Sequence, residues 1–237
     1  MIDIDKVTKT YGKKHPLKEV SLTISKGEVF GLLGKNGAGK STLLSILAAI
    51  AYPDSGTAHI NGMDSRKQKR KVRECIGYVP QEIALWEQNT VKENMIVFSK
   101  LAKIKASEES LKKLCSDVQL EDQWDEKVSR LSGGMKRKLN IAAALIHQPD
   151  ILLMDEPTVG IDLQSKLEIN RLVKRLADEG KTIVYTTHDL NEIMTLFSRI
   201  GVLKDGQFSF IGTALEAKEE YAGEASQEEW IYNLLNR

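Results

Sequence analysis

The run Gly34-Lys35-Asn36-Gly37-Ala38-Gly39-Lys40-Ser41 follows a continuous apolar stretch, Val29–Leu33, and leads straight into helical spacing over residues 40–51. No other feature constrains the fold as tightly. A short unbroken apolar run ended by glycine reads as a strand buried on both faces, and such strands sit inside parallel sheets. The glycines let the backbone wrap with its N–H groups facing inward, and the helix that follows adds partial positive charge at its first turn. A loop of this kind holds an anion, and G-x-x-x-x-G-K-S is the spacing of a phosphate-binding P-loop. The glycine spacing of a dinucleotide fold is not met. Two further units repeat the order of strand, loop and helix. Residues 151–154 are apolar, and after a loop Ile169, Leu172, Val173 and Leu176 share a helical face stopped by Gly180. Residues 182–187 read as a third strand, followed by a helix that Asp189 opens. Buried strands alternating with helices predict an α/β fold: a P-loop NTPase core of mostly parallel sheet flanked by helices.

The flanking segments differ in kind. Ile2 and Ile4 alternate weakly, and Val20, Leu22 and Ile24 repeat at period two before the turn Lys26-Gly27-Glu28, which predicts an antiparallel β subdomain. Residues 90–145 offer helical faces and no convincing strand. Thr90-x-x-Glu93 has the form of a capping box; Val91, Met95, Phe98 and Ala102 share one face, and Leu111, Leu114, Cys115 and Val118 another. This is a helical insertion. Asp205-Gly206 between two apolar runs signals a hairpin, and the polar stretch 214–229 leads to a short amphipathic tail. The expected organisation is one domain over 1–237. Its core takes 1–82 and 146–213, including the antiparallel part, with a helical subdomain at 83–145 and a C-terminal tail at 214–237.

Composition narrows the function. Lys and Arg total 34 against 33 Asp and Glu in 237 residues, and a net charge of +1 gives no field for drawing in a polyanion. No nucleic-acid partner is expected. The cluster Arg66, Lys67, Lys69, Arg70, Lys71 and Arg73 reads as the solvated face of a helix. The longest nearly apolar stretch, residues 43–52, falls far short of the roughly 20 residues a bilayer span needs, and residues 1–10 hold no apolar signal core. Cys75 and Cys115 are the only cysteines and form no Cys-x-x-Cys pattern, so a reducing cytoplasm fits best.

Residues 34–41 and Thr42 make the expected phosphate cradle, with Lys40 reaching the outer phosphates and Ser41 a magnesium ion. Such a loop needs a carboxylate at the tip of a neighbouring strand to hold that metal, and Met154-Asp155-Glu156 supplies two in succession. Asp155 is the candidate metal ligand. Glu156, one residue further out, is the candidate catalytic group that polarises or orients the attacking water.

Leu131-Ser132-Gly133-Gly134-Met135, shortly before that acidic strand and opening a helical pattern, resembles the signature of ATP-binding-cassette (ABC) proteins. The resemblance covers nearly the whole chain and implies ATP with Mg2+ as ligands. It further implies that Gln81, in Val79-Pro80-Gln81, belongs to a glutamine loop that touches metal and catalytic water. It makes Asp162, in Gly160-Ile161-Asp162, part of an aspartate loop at a dimer interface, His188 a switch histidine in hydrolysis, and Tyr11 the residue stacked on adenine. Ser132, Gly133, Gly134 and Met135 would bind ATP in trans. A signature and a P-loop on separate lobes cannot meet within one chain, so a second cassette, identical or a close paralogue, is expected in a head-to-tail pair.

Met135 stands where the family often has glutamine, and Met135-Lys136-Arg137-Lys138 resembles the variant of exporter-type cassettes of drug, antibiotic and ion efflux. The expected function is an ATPase subunit that powers a membrane exporter through nucleotide-driven cassette dimerisation. The alternative is a soluble ABC ATPase acting on ribosomes or in DNA maintenance. The first reading places the chain in the cytoplasm, peripheral on the inner face of the cell membrane, with separate membrane-spanning permease subunits contacting residues 82–98. In that segment Ile83 is expected to tuck under the helical insertion and Trp86 to stand exposed.

Overall fold

The computed structural model describes residues 1–221 and 233–235, so the end of the polar stretch and most of the amphipathic tail lie outside the described residues. Strands β1 (Ile2–Tyr11) and β2 (Lys14–Ile24) form a hairpin closed at Gly12, where φ is 59°. With β4 (Ser55–Ile60) and β5 (Met63–Asp64) they make an antiparallel sheet in the order β2-β1-β4-β5. Ile2, Ile4, Val20, Leu22 and Ile24, the residues that carry the period-two pattern, are buried on its inner face. The turn Lys26-Gly27-Glu28 closes no hairpin; it hands the chain to β3 (Val29–Leu33) in a second sheet.

That second sheet runs β10-β9-β3-β8-β7-β6, built from β6 (Ile76–Val79), β7 (Ile151–Asp155), β8 (Thr182–Thr186), β9 (Arg199–Lys204) and β10 (Gln207–Gly212). All its pairings are parallel except β9 with β10. There the chain reverses at Asp205-Gly206, with φ of 49° and 84°, the two left-handed residues of a tight hairpin turn. Alternate residues of the parallel strands enter two different cores. Leu32, Leu153 and Val184 pack with α1 (Lys40–Leu47) and the antiparallel sheet, whereas Leu152, Met154, Ile183 and Tyr185 pack with α5 (Gly133–Leu145) and α6 (Leu163–Asp178). Both faces are dry, and each such side chain contributes about 1.5–3 kcal/mol by burial, which is why these strands read as unbroken apolar runs.

Strands β4 and β6 escape a reading by period. In β4 only Ala58 and Ile60 are buried. Strand β6 is short and interrupted by Gly77, where a Cβ would lie 2.6 Å from the Ala144 carbonyl oxygen of α5, so glycine there permits close strand–helix packing. Strand β8 ends at Thr186, one residue earlier than expected. Helix α2 (Lys69–Glu74) exposes its basic residues to solvent, and only Arg73 reaches back, donating to the Ala49 carbonyl at 2.7 Å.

Residues 83–145 hold α3 (Val91–Leu101), α4 (Glu108–Asp117), two 3-10 turns and α5, with no strand beyond an isolated bridge between Thr90 and Lys127. The capping box forms in both directions. Thr90 Oγ1 accepts from the Glu93 N–H at 3.1 Å, and Glu93 Oε2 accepts from the Thr90 N–H at 2.8 Å. Ile83 does not tuck under this insertion: it is 37% exposed, and Leu85 packs inward in its place. Helices α7 (Leu190–Thr195) and α8 (Ala214–Tyr221) complete residues 1–221. Among the described residues no helix is long and apolar enough to cross a membrane.

Candidate active site

Strand pairing decides which loops meet. The register sets Leu32 beside Thr186, Thr186 beside Asp155, and Met154 beside Val79. The loops that leave the C-terminal ends of β3, β8, β7 and β6 therefore emerge side by side, the place where open α/β sheets bind ligands. A cleft of ≈ 920 Å³ opens there, lined by residues 35–42, Gln81, Glu156, Tyr11, residues 13–16 and residues 203–206.

The P-loop can wrap only because it has glycine at its turns. Gly39 has φ of 111°, and a Cβ there would lie 2.1 Å from the Pro16 carbonyl oxygen. Gly34 has φ of 147°, with a Cβ 2.4 Å from the Leu203 carbonyl oxygen. Lys40, the first residue of α1, is buried and donates to the Gly34 carbonyl at 2.7 Å, while its Nζ lies 3.6 Å from Glu156 Oε1. Ser41 and Thr42 follow on the same helix start.

Asp155 ends β7 and is 3% exposed; Glu156 takes the next position with φ of 44°. A left-handed glutamate costs on the order of 1–3 kcal/mol and persists only where its surroundings hold it. Thr186 does so: its hydroxyl accepts the Glu156 N–H at 2.7 Å and donates to Asp155 Oδ1 at 2.7 Å. One side chain on the neighbouring strand thus holds the Asp155 carboxylate and the Glu156 backbone. Gln81 Nε2 donates to Glu156 Oε2 at 3.4 Å. The segment carrying Gln81 is clamped in turn by the buried guanidinium of Arg137 on α5, which donates to the Pro80 and Gln81 carbonyls at 2.8 and 2.7 Å. Sequence reasoning missed Thr186 and Arg137. A hydroxyl at the tip of an apolar strand next to an acidic strand is a signal for the first, but the tertiary target of an arginine inside a basic run has none. It also passed over Lys13 and Lys14, next to Tyr11-Gly12, whose charge suits a polyphosphate cleft.

Tyr11, at the end of β1, is 51% exposed with the Lys9 ammonium 5.1 Å from its ring centroid. His188 is exposed on the loop after β8, beside Asp189, which caps α7 by accepting from the Asn191 and Glu192 N–H groups and is ion-paired with Lys166. The Ser132 hydroxyl caps α5 by accepting from the Met135 N–H at 3.2 Å, and Ser132 and Gly133 are exposed. None of residues 132–135 lines the cleft. Gly134 presses instead on α6, where its Cβ would lie 1.9 Å from Ser165 Oγ. Asp162 caps α6 through the Ser165 N–H at 2.9 Å and the Ser165 hydroxyl at 2.7 Å, and these donors hold its carboxyl below the ordinary 3.8. The predicted residues thus divide: residues 35–42, Gln81, Glu156 and Tyr11 line one cleft, Asp155 is buried next to Glu156, the signature start and Asp162 lie on an exposed seam, and His188 is exposed on the β8 loop without lining the cleft.

The sequence pattern of ABC transporters matches residues 17–159. The linearmycin resistance ATP-binding protein LnrL of Bacillus subtilis is 41% identical over 231 residues, which cover 94% of this chain and 73% of that protein. The Nod factor export ATP-binding protein I of Paraburkholderia xenovorans is 42% identical over 208 residues, covering 87% and 68% respectively. Among solved structures, a dimeric ATP-binding cassette in a post-hydrolysis state with ADP and Pi is 31% identical with a TM-score of 0.81, covering 90% of this chain and 99% of its own. With a P-loop, paired carboxylates and a separate signature helix already in place, these likenesses settle the matter: the chain belongs to the ABC transporter family, as an ATP-binding and ATP-hydrolysing cassette.

Proposed function

We propose that this chain drives a membrane exporter as one of two cassettes that close head to tail around ATP. The observation that carries the reading is the separation just described: the cleft holds one set of groups, and the exposed start of α5 offers a second anion-binding helix start away from it. Only a second copy can bring the two together, by an isologous contact. The relative named for Nod factor export and the Met135 signature variant support the outward direction, and neither supports a ribosomal or DNA-maintenance role.

In this reading anionic phosphate oxygens draw the Lys40 ammonium off the Gly34 carbonyl and away from Glu156. Glu156 is then released to orient or deprotonate water at the γ-phosphate, and Gln81 steadies that carboxylate. His188 meets the γ-phosphate from the β8 loop, and the half-exposed Tyr11 ring stacks on adenine, a contact worth on the order of 1–3 kcal/mol. Ser41, Asp155 and the Gln81 amide oxygen form an all-oxygen donor set, and Thr186 takes only Oδ1 of Asp155, so these residues suit Mg2+. When bound, that ion neutralises charge on the phosphates. Membrane-spanning subunits seat against residues 82–98, which keeps the cassette peripheral on the cytoplasmic face of the membrane.

Light scattering tests the pairing. Glu156→Gln with Mg-ATP should give a dimer, and the wild-type chain without nucleotide a monomer. A dimer that ignores ATP, or a monomer under trapping conditions, would overturn the reading.

A further inference from the structure

Glu192, in the first turn of α7, has no surface exposed. Among the described residues no basic side chain pairs with it. Three hydroxyls converge on its carboxylate instead: Thr158 donates to Oε1 at 2.8 Å, Tyr185 to Oε1 at 3.0 Å and Thr187 to Oε2 at 2.5 Å. Both oxygens of the side chain are thus taken up by hydroxyl partners. An apolar side chain at this place would leave three buried hydroxyls to find other partners.

The origin of the three donors is what matters. Thr158 lies two residues beyond Glu156, Tyr185 is in β8, and Thr187 immediately precedes His188. The Thr187 hydroxyl, while donating to Glu192, accepts the Asp189 N–H at 3.0 Å, so the loop carrying His188 is tied to the same carboxylate on one side. On the other side Asp189 is held by Lys166 of α6. His188 itself is exposed and takes its position from this loop. We infer that Glu192 is a positioning residue for hydrolysis, a buried junction that fixes the loop after Glu156 relative to the loop bearing His188. The inference rests on the reading above, in which both residues act at the γ-phosphate. Misplacing a reacting group by about 1 Å costs on the order of 10²-fold in rate, so the junction governs turnover more than binding.

The test measures ATP turnover, fluorescent-nucleotide affinity and Tm on the full chain. Its variants are Glu192→Gln, Thr187→Val, His188→Ala, Glu156→Gln and the double variant Glu192→Gln with His188→Ala. Glu192→Gln keeps the shape but turns an amide N–H2 towards a hydroxyl donor. It should lower kcat by about tenfold or more with nucleotide affinity within about twofold, because Lys40 and its loop keep their partners. Thr187→Val should give a smaller loss in the same sense. His188→Ala should cost far less on top of Glu192→Gln than alone, since both act through one loop. An unchanged kcat, a joint fall of kcat, affinity and Tm, or losses that simply multiply would overturn the inference. If Glu192→Gln does not fold, an unchanged kcat in Thr187→Val overturns it equally. Glu156→Gln separates the two readings: wild-type turnover in that variant means the site assignment has failed, whereas a dead Glu156→Gln beside a wild-type Glu192→Gln sinks only the junction.

Discussion

Lys40 and Glu156 face each other at 3.6 Å, yet substituting them should have opposite effects. In the proposed reading Lys40 binds phosphate in the ground state, so Lys40→Ala should weaken nucleotide affinity and abolish turnover. In the same reading Glu156 acts on water, so Glu156→Gln should bind ATP almost as wild type with phosphate release below about a tenth. Nucleotide titration alongside phosphate release checks both, and a Glu156→Gln chain that keeps its turnover would disprove the assignment. The two cysteines differ by environment in the same residue-level way. Burial pushes the Cys115 thiol up to about 12, and it has no exposed surface, while Cys75 is only half-buried. A thiol whose pKa lies far above the medium stays protonated and inert. At pH 8 a disulfide-exchange reagent should label Cys75 alone in the native chain and both cysteines in guanidinium; rapid native labelling of Cys75→Ser would contradict this.

Helix α5 starts against α6 with no room to spare, since Gly134 leaves its missing Cβ 1.9 Å from Ser165 Oγ and 2.3 Å from its Cβ. Gly134→Ala should push the signature away from Asp162 and reduce ATP-trapped dimer, and adding Ser165→Gly should recover part of it. Trapping unaffected by Gly134→Ala would show that this packing does not set the seam. Helix α3 belongs to the surface proposed to meet the membrane-spanning subunit. Asn94, buried on α3, pins the segment before it by accepting from the Trp86 N–H at 2.9 Å and donating to the Trp86 carbonyl at 3.0 Å. Trp86, 45% exposed, has its ring centroid 5.2 Å from that of Phe98. A rigidly held, exposed tryptophan makes an anchor, so Trp86→Ala should weaken capture of the membrane-spanning subunit by about 2 kcal/mol. Unchanged capture in a pull-down would remove Trp86 from the contact.

For the pair of cassettes, geometry makes a prediction that no single chain can satisfy. Lys40→Ala damages one chain's P-loop, and Ser132→Arg fills the phosphate seat of the other's signature. Each alone should be inactive. A heterodimer of the two carries one site with an intact P-loop and an intact signature, so mixing the two inactive chains should restore ATPase activity. A mixture that stays inactive while each chain still folds would mean that the signature does not cross between copies.

Much of the fold was legible in the sequence because short-range physics writes it there. Glycine at Gly34 and Gly39, an apolar run before them, a cap at Thr90 or Asp189 and an Asp-Gly reversal each depend on a few neighbouring residues. The same holds for the identity of Lys40, Asp155, Glu156 and the Ser132 helix start, whose chemistry follows from residue type at a fixed spacing. Strands β4 and β6 were not legible: β4 buries only Ala58 and Ile60 and is defined by its pairing with β1, and β6 is defined by burial from both sides and packing on a distant helix. Strand order was equally out of reach, and it alone brings Thr186 between Leu32 and Asp155. The hydroxyl that joins the Asp155 carboxylate to the Glu156 backbone, the Arg137 clamp on Gln81 and the hydroxyls that Thr158 and Thr187 turn to Glu192 are contacts between separate segments of the chain. Residue type and spacing determine what chemistry a segment can offer, whereas only the long-range pairing of the parallel strands decides which of those groups stand close enough to act together.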